Sequence, residues 1–166
     1  MRISHFFFTL FIAAFSVQAQ NKNAEKLEID TLVDAWHHAA ATANFESYFD
    51  LMSEDAIFIG TDATENWNKK DFQAYAKPHF DKGKAWNFTV LERNIYFSTD
   101  KKTAWFDELL DTQMKICRGS GILTKVKNKW KISHYVLSMT IPNDLSKEVI
   151  QLKEATEDEL MNELRK

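Results

Sequence analysis

The main change of hydrophobic periodicity along this chain of 166 residues falls near Gly83. Before that point apolar residues recur every three or four positions, and after it they fall in extended runs. Such a change dictates helices followed by strands, an α+β arrangement. From Leu27 to Ala43, the residues Ile29, Leu32, Val33, Trp36, Ala40 and Ala43 share one helical face. Asn44 stands where an N-cap would, and Phe45, Tyr48, Phe49 and Met52 repeat the stripe over two turns. Ser53-Glu54-Asp55 interrupts it, Ala56 to Gly60 is a short β-prone run, and Thr61 to Trp67 is expected to be a loop. Asn68 followed by Asp71 opens a third helix carrying Phe72, Tyr75, Ala76, His79 and Phe80, which Pro78 is expected to bend or shorten.

Four β-rich runs follow, at Ala85 to Phe97, Thr103 to Thr112, Lys115 to Val126 and Trp130 to Ile141. Polar turns at Ser98 to Lys102 and Lys127 to Lys129 join them, which predicts an antiparallel meander. Pro142-Asn143-Asp144 ends the last run, and Leu145, Val149, Leu152, Leu160 and Leu164 sketch an amphipathic helix over 145–166.

The first residues have a different character. Arg2, an apolar run from Phe6 to Phe15, and small residues at Val17 and Ala19 have the layout of a secretory signal peptide over 1–19, cut before Gln20. That run is too short to cross a bilayer, so an exported protein, periplasmic or secreted, with no membrane anchor after cleavage is expected. A short tail over 20–26 would then lead into one domain over 27–144. Loss of Arg2 leaves 20 Lys and Arg against 24 Asp and Glu, and no basic stripe persists, which argues against a nucleic-acid partner. Cys117 is the only cysteine, so no internal disulfide is available and packing must supply the stability. The 13 Phe, 5 Trp and 4 Tyr suit either a bulky core or a lined cavity.

Several local phrases point to a family. Phe58-Ile59-Gly60-Thr61-Asp62-Ala63-Thr64-Glu65 with Trp67, Thr103-Ala104-Trp105-Phe106-Asp107-Glu108, Arg118-Gly119-Ser120-Gly121-Ile122-Leu123 and Trp130-Lys131-Ile132-Ser133-His134-Tyr135 are similar to a bacterial SnoaL-like group. That group belongs to the nuclear transport factor 2-like (NTF2-like) superfamily. The resemblance covers about Leu27 to Asp144 and implies a cone in which N-terminal helices pack on a strongly curved antiparallel sheet. It also implies a pocket for a small, partly hydrophobic molecule and a homodimer formed through the outer sheet face, assigned here to Tyr135, Leu137 and Met139. Members include isomerases, dehydratases, epoxide hydrolases, cyclases and non-catalytic binding or dimerisation modules, so the fold alone assigns no reaction. The catalytic set of ketosteroid isomerase does not align onto this chain residue by residue.

Strand alternation would put Trp130, Ile132, His134, Val136 and Ser138 on one face, with Ile116, Arg118, Ser120 and Ile122 sharing a face of the preceding strand. Arg118 and His134 would then reach a common interior. Asp107 and Glu108 must point to opposite faces, and which of them turns inward is open. One reading pairs an inward acid with Arg118 in a salt bridge that holds the sheet together. The other gathers Asp107 or Glu108 and His134 as catalytic acid–base groups. Trp36, Asp62, Trp67, Trp86, Trp105, Arg118 and Ser120 would then contact the ligand. Asp62 has a simpler alternative as the hydrogen-bonding residue of a turn. No cofactor is implied: Gly119 and Gly121 sit inside a strand pattern rather than a phosphate loop. No metal is implied either, since His37 and His38 point apart on a helix and His79 and His134 lack ligands at metal spacing.

Overall fold

The computed structural model describes residues 24–166, so the expected signal peptide and residues 20–23 of the tail lie outside it. Helix α1 runs over 24–41 and buries Ile29, Val33, Trp36, Ala39 and Ala40. It therefore begins within the expected tail. Helix α2, Phe45–Asp50, is capped by the Asn44 side chain, which accepts from the Ser47 N–H at 3.1 Å. Strand β1 spans Met52–Ile59, β2 Asn66–Asn68, and helix α3 Lys69–Asp81. Strands β3 Thr89–Phe97, β4 Thr103–Thr112, β5 Lys115–Val126 and β6 Lys129–Met139 follow. A 3-10 turn, Asn143–Leu145, leads into helix α4, Ser146–Leu164.

The six strands form one sheet in the order β2-β1-β6-β5-β4-β3. From β3 to β6 it is the antiparallel meander the turns demand. The sheet as a whole is mixed, because β1 runs parallel to β6. β2 lies where a loop was expected; it extends the edge by pairing Trp67 with Phe58. The segment before Thr89 is irregular rather than strand, and it carries Trp86 and Phe88. Pro78 stands in the last turn of α3, where the missing N–H costs one hydrogen bond without ending the helix.

The inner sheet face meets the helices. On β4 it presents Ala104, Phe106, Glu108, Leu110 and Thr112, which leaves Trp105, Asp107, Leu109 and Asp111 outward. On β5 the inward positions are small: Cys117, Gly119 and Gly121, then Leu123. A Cβ on Gly121 would strike the Phe106 ring, and one on Gly119 would lie 2.8 Å from Glu108 Oε1 and closer still to the Tyr135 hydroxyl. These glycines make room for bulky neighbours on the flanking strands.

On β6 the simple alternation fails. Ile122 pairs with His134 but Leu123 with Ile132, so Ser133 is an extra residue, a β-bulge. Trp130 and Ile132 point inward before it, and Tyr135 and Leu137 point inward after it. The bulge turns His134, Val136 and Ser138 to the outside. Tyr135 and Leu137 are core residues and do not belong to the outer face assigned to them.

Candidate functional site

Two adjoining features occupy the space between helices and sheet. The deeper one is a polar cluster centred on Glu108, whose side chain is fully buried. Arg93 is its register partner on β3 and donates from Nε to Glu108 Oε2 at 2.9 Å. Tyr135, two strands away, reaches Oε1 at 2.8 Å over the gap that Gly119 leaves. His37 Nε2 from α1 also lies 2.8 Å from Oε1. Since the acceptor there is a carboxylate, Nε2 carries the proton. Arg93 in turn reaches Asp30 Oδ1 at 2.6 Å and Asp34 Oδ1 at 2.8 Å. Asp30, Asp34 and His37 follow one another at helical spacing along α1, beside the apolar stripe of Ile29, Val33 and Trp36. One helix edge is thereby bolted to the sheet through charge.

Burial pushes the Glu108 carboxyl up, but the His37 hydrogen bond, the charges of His37 and Arg93 and the Tyr135 hydroxyl together hold it below its ordinary value. Burial, followed by the adjacent Glu108 charge, pushes the Tyr135 hydroxyl well above its own. The cluster holds an ionised carboxylate with both oxygens occupied, beside a phenol that keeps its proton.

The second feature is a pocket of about 180 Å³. Its walls come from Phe58 on β1, Trp67 on β2, Phe72 and Tyr75 on α3, Trp86 and Phe88 before β3, Gln113 and Met114 in the β4–β5 turn and Leu137 on β6. The remaining wall is the β1–β2 loop, with Gly60, Thr61 and Glu65. Trp67 stacks on Tyr75 with ring centroids 4.5 Å apart, and Phe58 stacks on Phe72 at 4.0 Å. Phe58 also stacks on Tyr135 at 5.6 Å, which places the Glu108 cluster behind the pocket wall.

The sequence-derived candidates divide among five places, Glu108 lying in the buried cluster. Trp67 and Trp86 line the pocket. Trp36 lies in the core, stacked on Tyr48 at 4.9 Å and edge-on to Tyr135 at 4.8 Å. Asp62 shapes the β1–β2 loop: its Oδ1 accepts from Thr64 N–H at 2.9 Å and Thr64 Oγ1 at 2.6 Å, which holds its carboxyl below the ordinary value. Trp105, Asp107, Arg118, Ser120 and His134 come together on the outer face, in the pairings Trp105–Ile122–His134 and Asp107–Ser120. The common interior expected for Arg118 and His134 is thus an exterior. Asp107 meets Asn94 Nδ2 at 3.4 Å, and the arginine that pairs with the buried acid is Arg93, not Arg118.

Alternation alone did not single out His37, Arg93, Tyr135 or Glu65. The stripe Asp30-Asp34-His37 was the available signal, since charged residues flanking an apolar stripe must find partners wherever the helix docks. Among the described residues no group of three His, Cys, Asp or Glu side chains is placed to hold a metal ion.

Helices folded over a mixed sheet with a pocket at one end agree with what the family comparison finds: the SnoaL-like domain matches residues 29–142. The chain belongs to the SnoaL-like domain family. Solved structures share this domain's fold at low identity. An NTF2-like protein of unknown function from Pseudomonas putida superposes with a TM-score of 0.61 at 13% identity, covering 73% of this chain and 90% of the other. A protein of the NTF2-like family from Streptomyces avermitilis gives 0.63 at 8% identity, over 73% and 99% of the two chains. For an NTF2-like protein from Cytophaga hutchinsonii the score is 0.56 at 16% identity, over 68% and 95%. No curated protein matches the chain.

Proposed function

We propose that this SnoaL-like domain acts, after export, by binding a small, partly hydrophobic molecule in the pocket between β1, β2, α3 and the β4–β5 turn. The observation that carries this reading is the pocket wall, built largely of stacked aromatic rings. Its volume of about 180 Å³ is slightly above the roughly 150 Å³ of a cavity that holds benzene. Ligands of about one ring in size therefore fit.

Binding is a better account than acid–base catalysis by the residues first considered. Asp107 and His134 lie on the outer sheet face, and Glu108 is occupied on both oxygens behind the wall. A carboxylate so engaged would have to break a buried ion pair before it could take a proton from a substrate. Native mass spectrometry of the protein recovered from its exporting host tests the reading. A chain beginning at Gln20, carrying a reproducible small adduct that Trp67→Ala loses, is the expected result. An adduct that survives Trp67→Ala, or a chain that retains residues 1–19, would overturn the corresponding half of the proposal.

The partner proposed for the outer sheet face is a second copy of the chain. Tyr96 and Trp105 stack there at 5.9 Å, with Ile122 beside Trp105, all substantially exposed. Asp107, Asp111 and Arg118 lie on the same face, so a twofold axis can set acid against base.

A further inference from the structure

Among the described residues Glu65 is the only charged side chain on the pocket wall, and it has no ion-pair partner there. The loop fixes its position: its N–H donates to the Asp62 carbonyl at 3.0 Å, its carbonyl accepts from Gly60 at 2.9 Å, and its Oε2 accepts from the Asp62 N–H at 3.2 Å. The rings of Trp67, Tyr75 and Trp86 and the thioether of Met114 line the same pocket. Burial and the Glu65 charge both push the Tyr75 hydroxyl up, so that group stays neutral. Aromatic rings, a soft sulfur and one carboxylate make this lining favourable to positive charge, and among the described residues no lysine, arginine or histidine lines it to offset that. An anionic ligand would meet Glu65 without compensation, whereas an organic cation meets attraction from both the rings and the acid.

We infer that the pocket selects a small organic cation, a quaternary or protonated alkylamine of about one-ring size, with Glu65 as its counter-ion. This inference rests on the pocket reading above and narrows the ligand to one chemical class. It is tested on the isotope-labelled full-length protein by following the Trp67 and Trp86 indole N–H resonances during titration with choline. A parallel titration uses dimethylbutanol, in which carbon replaces the quaternary nitrogen at nearly constant shape. Both compounds are expected to move these resonances, with choline binding about fivefold more tightly or better.

Glu65→Gln keeps an oxygen to accept the Asp62 N–H and so preserves the loop. It is expected to erase most of the choline advantage while leaving dimethylbutanol within about twofold. Equal or tighter binding of dimethylbutanol would overturn the charge selectivity and leave the pocket standing. A choline advantage that persists in Glu65→Gln would overturn the role of the acid. If neither compound moves either resonance, the pocket reading falls and this inference with it.

Discussion

Three groups from three other elements meet at Glu108, so its replacement tests whether the cluster is a mechanical fixture. Glu108→Gln preserves the shape but removes the charge that Arg93 and His37 face. Leaving a buried guanidinium short of one partner is expected to cost about 3 kcal/mol, read from urea denaturation at neutral pH. The pH dependence has a definite sign. The folded-state pKa lies below the ordinary value of 4.5, so this contribution is fully present above that value and is lost as pH falls through the folded one. Wild-type stability should therefore fall more steeply than that of Glu108→Gln between about pH 5 and pH 3. Parallel curves would mean that Glu108 is not ionised in the fold. Gly119→Ala probes the same contact from the backbone side: its Cβ would displace the Tyr135 hydroxyl and Glu108 Oε1, at an expected cost of about 2 kcal/mol. Of the aromatic wall, the sequence pointed to Trp67 and Trp86, while Trp36 and Trp105, expected beside them, lie in the core and on the outer face. Glu108 was legible only as one of two alternatives. Its true partners come from positions 37, 93 and 135, and no local pattern relates residues so far apart in the chain.

Among the elements, α3 shows most directly how sequence becomes structure. Asn68 Oδ1 accepts from the Asp71 N–H at 3.0 Å while Asn68 Nδ2 donates to Asp71 Oδ2 at 2.8 Å, so cap and third residue satisfy each other. Asn68→Ala should lower stability by about 1 kcal/mol, measurable as a fall in thermal midpoint. Because α3 carries Phe72 and Tyr75 into the pocket wall, ligand affinity should weaken alongside. Helices α1 to α3 and the β3–β6 meander follow from periodicity because each buries one face, and burial is what selects the period. The β6 bulge does not, since one inserted residue at Ser133 leaves every side chain chemically ordinary while exchanging the two faces beyond it. Neither the parallel pairing of β1 with β6 nor the three-residue β2 leaves a local signature, because both are decided by where a remote strand already lies. Helix α4 poses the opposite case: it is helical throughout, yet none of its residues is buried. Its propensity is visible in sequence, but its packing within this chain is slight. A chain ending at Leu145 should therefore unfold within about 1 kcal/mol of the full one, as judged by urea denaturation.

At the scale of the whole molecule, the two faces of the sheet divide the work. The inner face holds the core, the Glu108 cluster and part of the pocket wall. The outer face leaves Tyr96, Trp105, Ile116 and Ile122 each at least 39% exposed, a concentration of apolar surface that a monomer would leave in water. Charge on that face is mixed, with Arg118 among Asp107 and Asp111, so a second copy related by a twofold axis can cover the apolar centre while acids meet the base. A standard interface buries about 800 Å² per partner, an area that one face of a four-stranded meander can supply. Sedimentation velocity is expected to show a dimer whose fraction falls on dilution. Trp105→Glu should shift it to monomer by burying a charge at the centre of the contact. Because Trp105 points away from the core, the variant monomer should keep its circular dichroism spectrum and its affinity for pocket ligands. A wild-type protein that sediments as a monomer at every concentration would end the dimer proposal. A Trp105→Glu variant that remains dimeric would move the contact elsewhere, with α4 and its exposed Ile150, Leu152 and Leu164 as the next surface to alter. In either case the pocket opens on the far side of the sheet from Trp105, so ligand binding and self-association should vary independently.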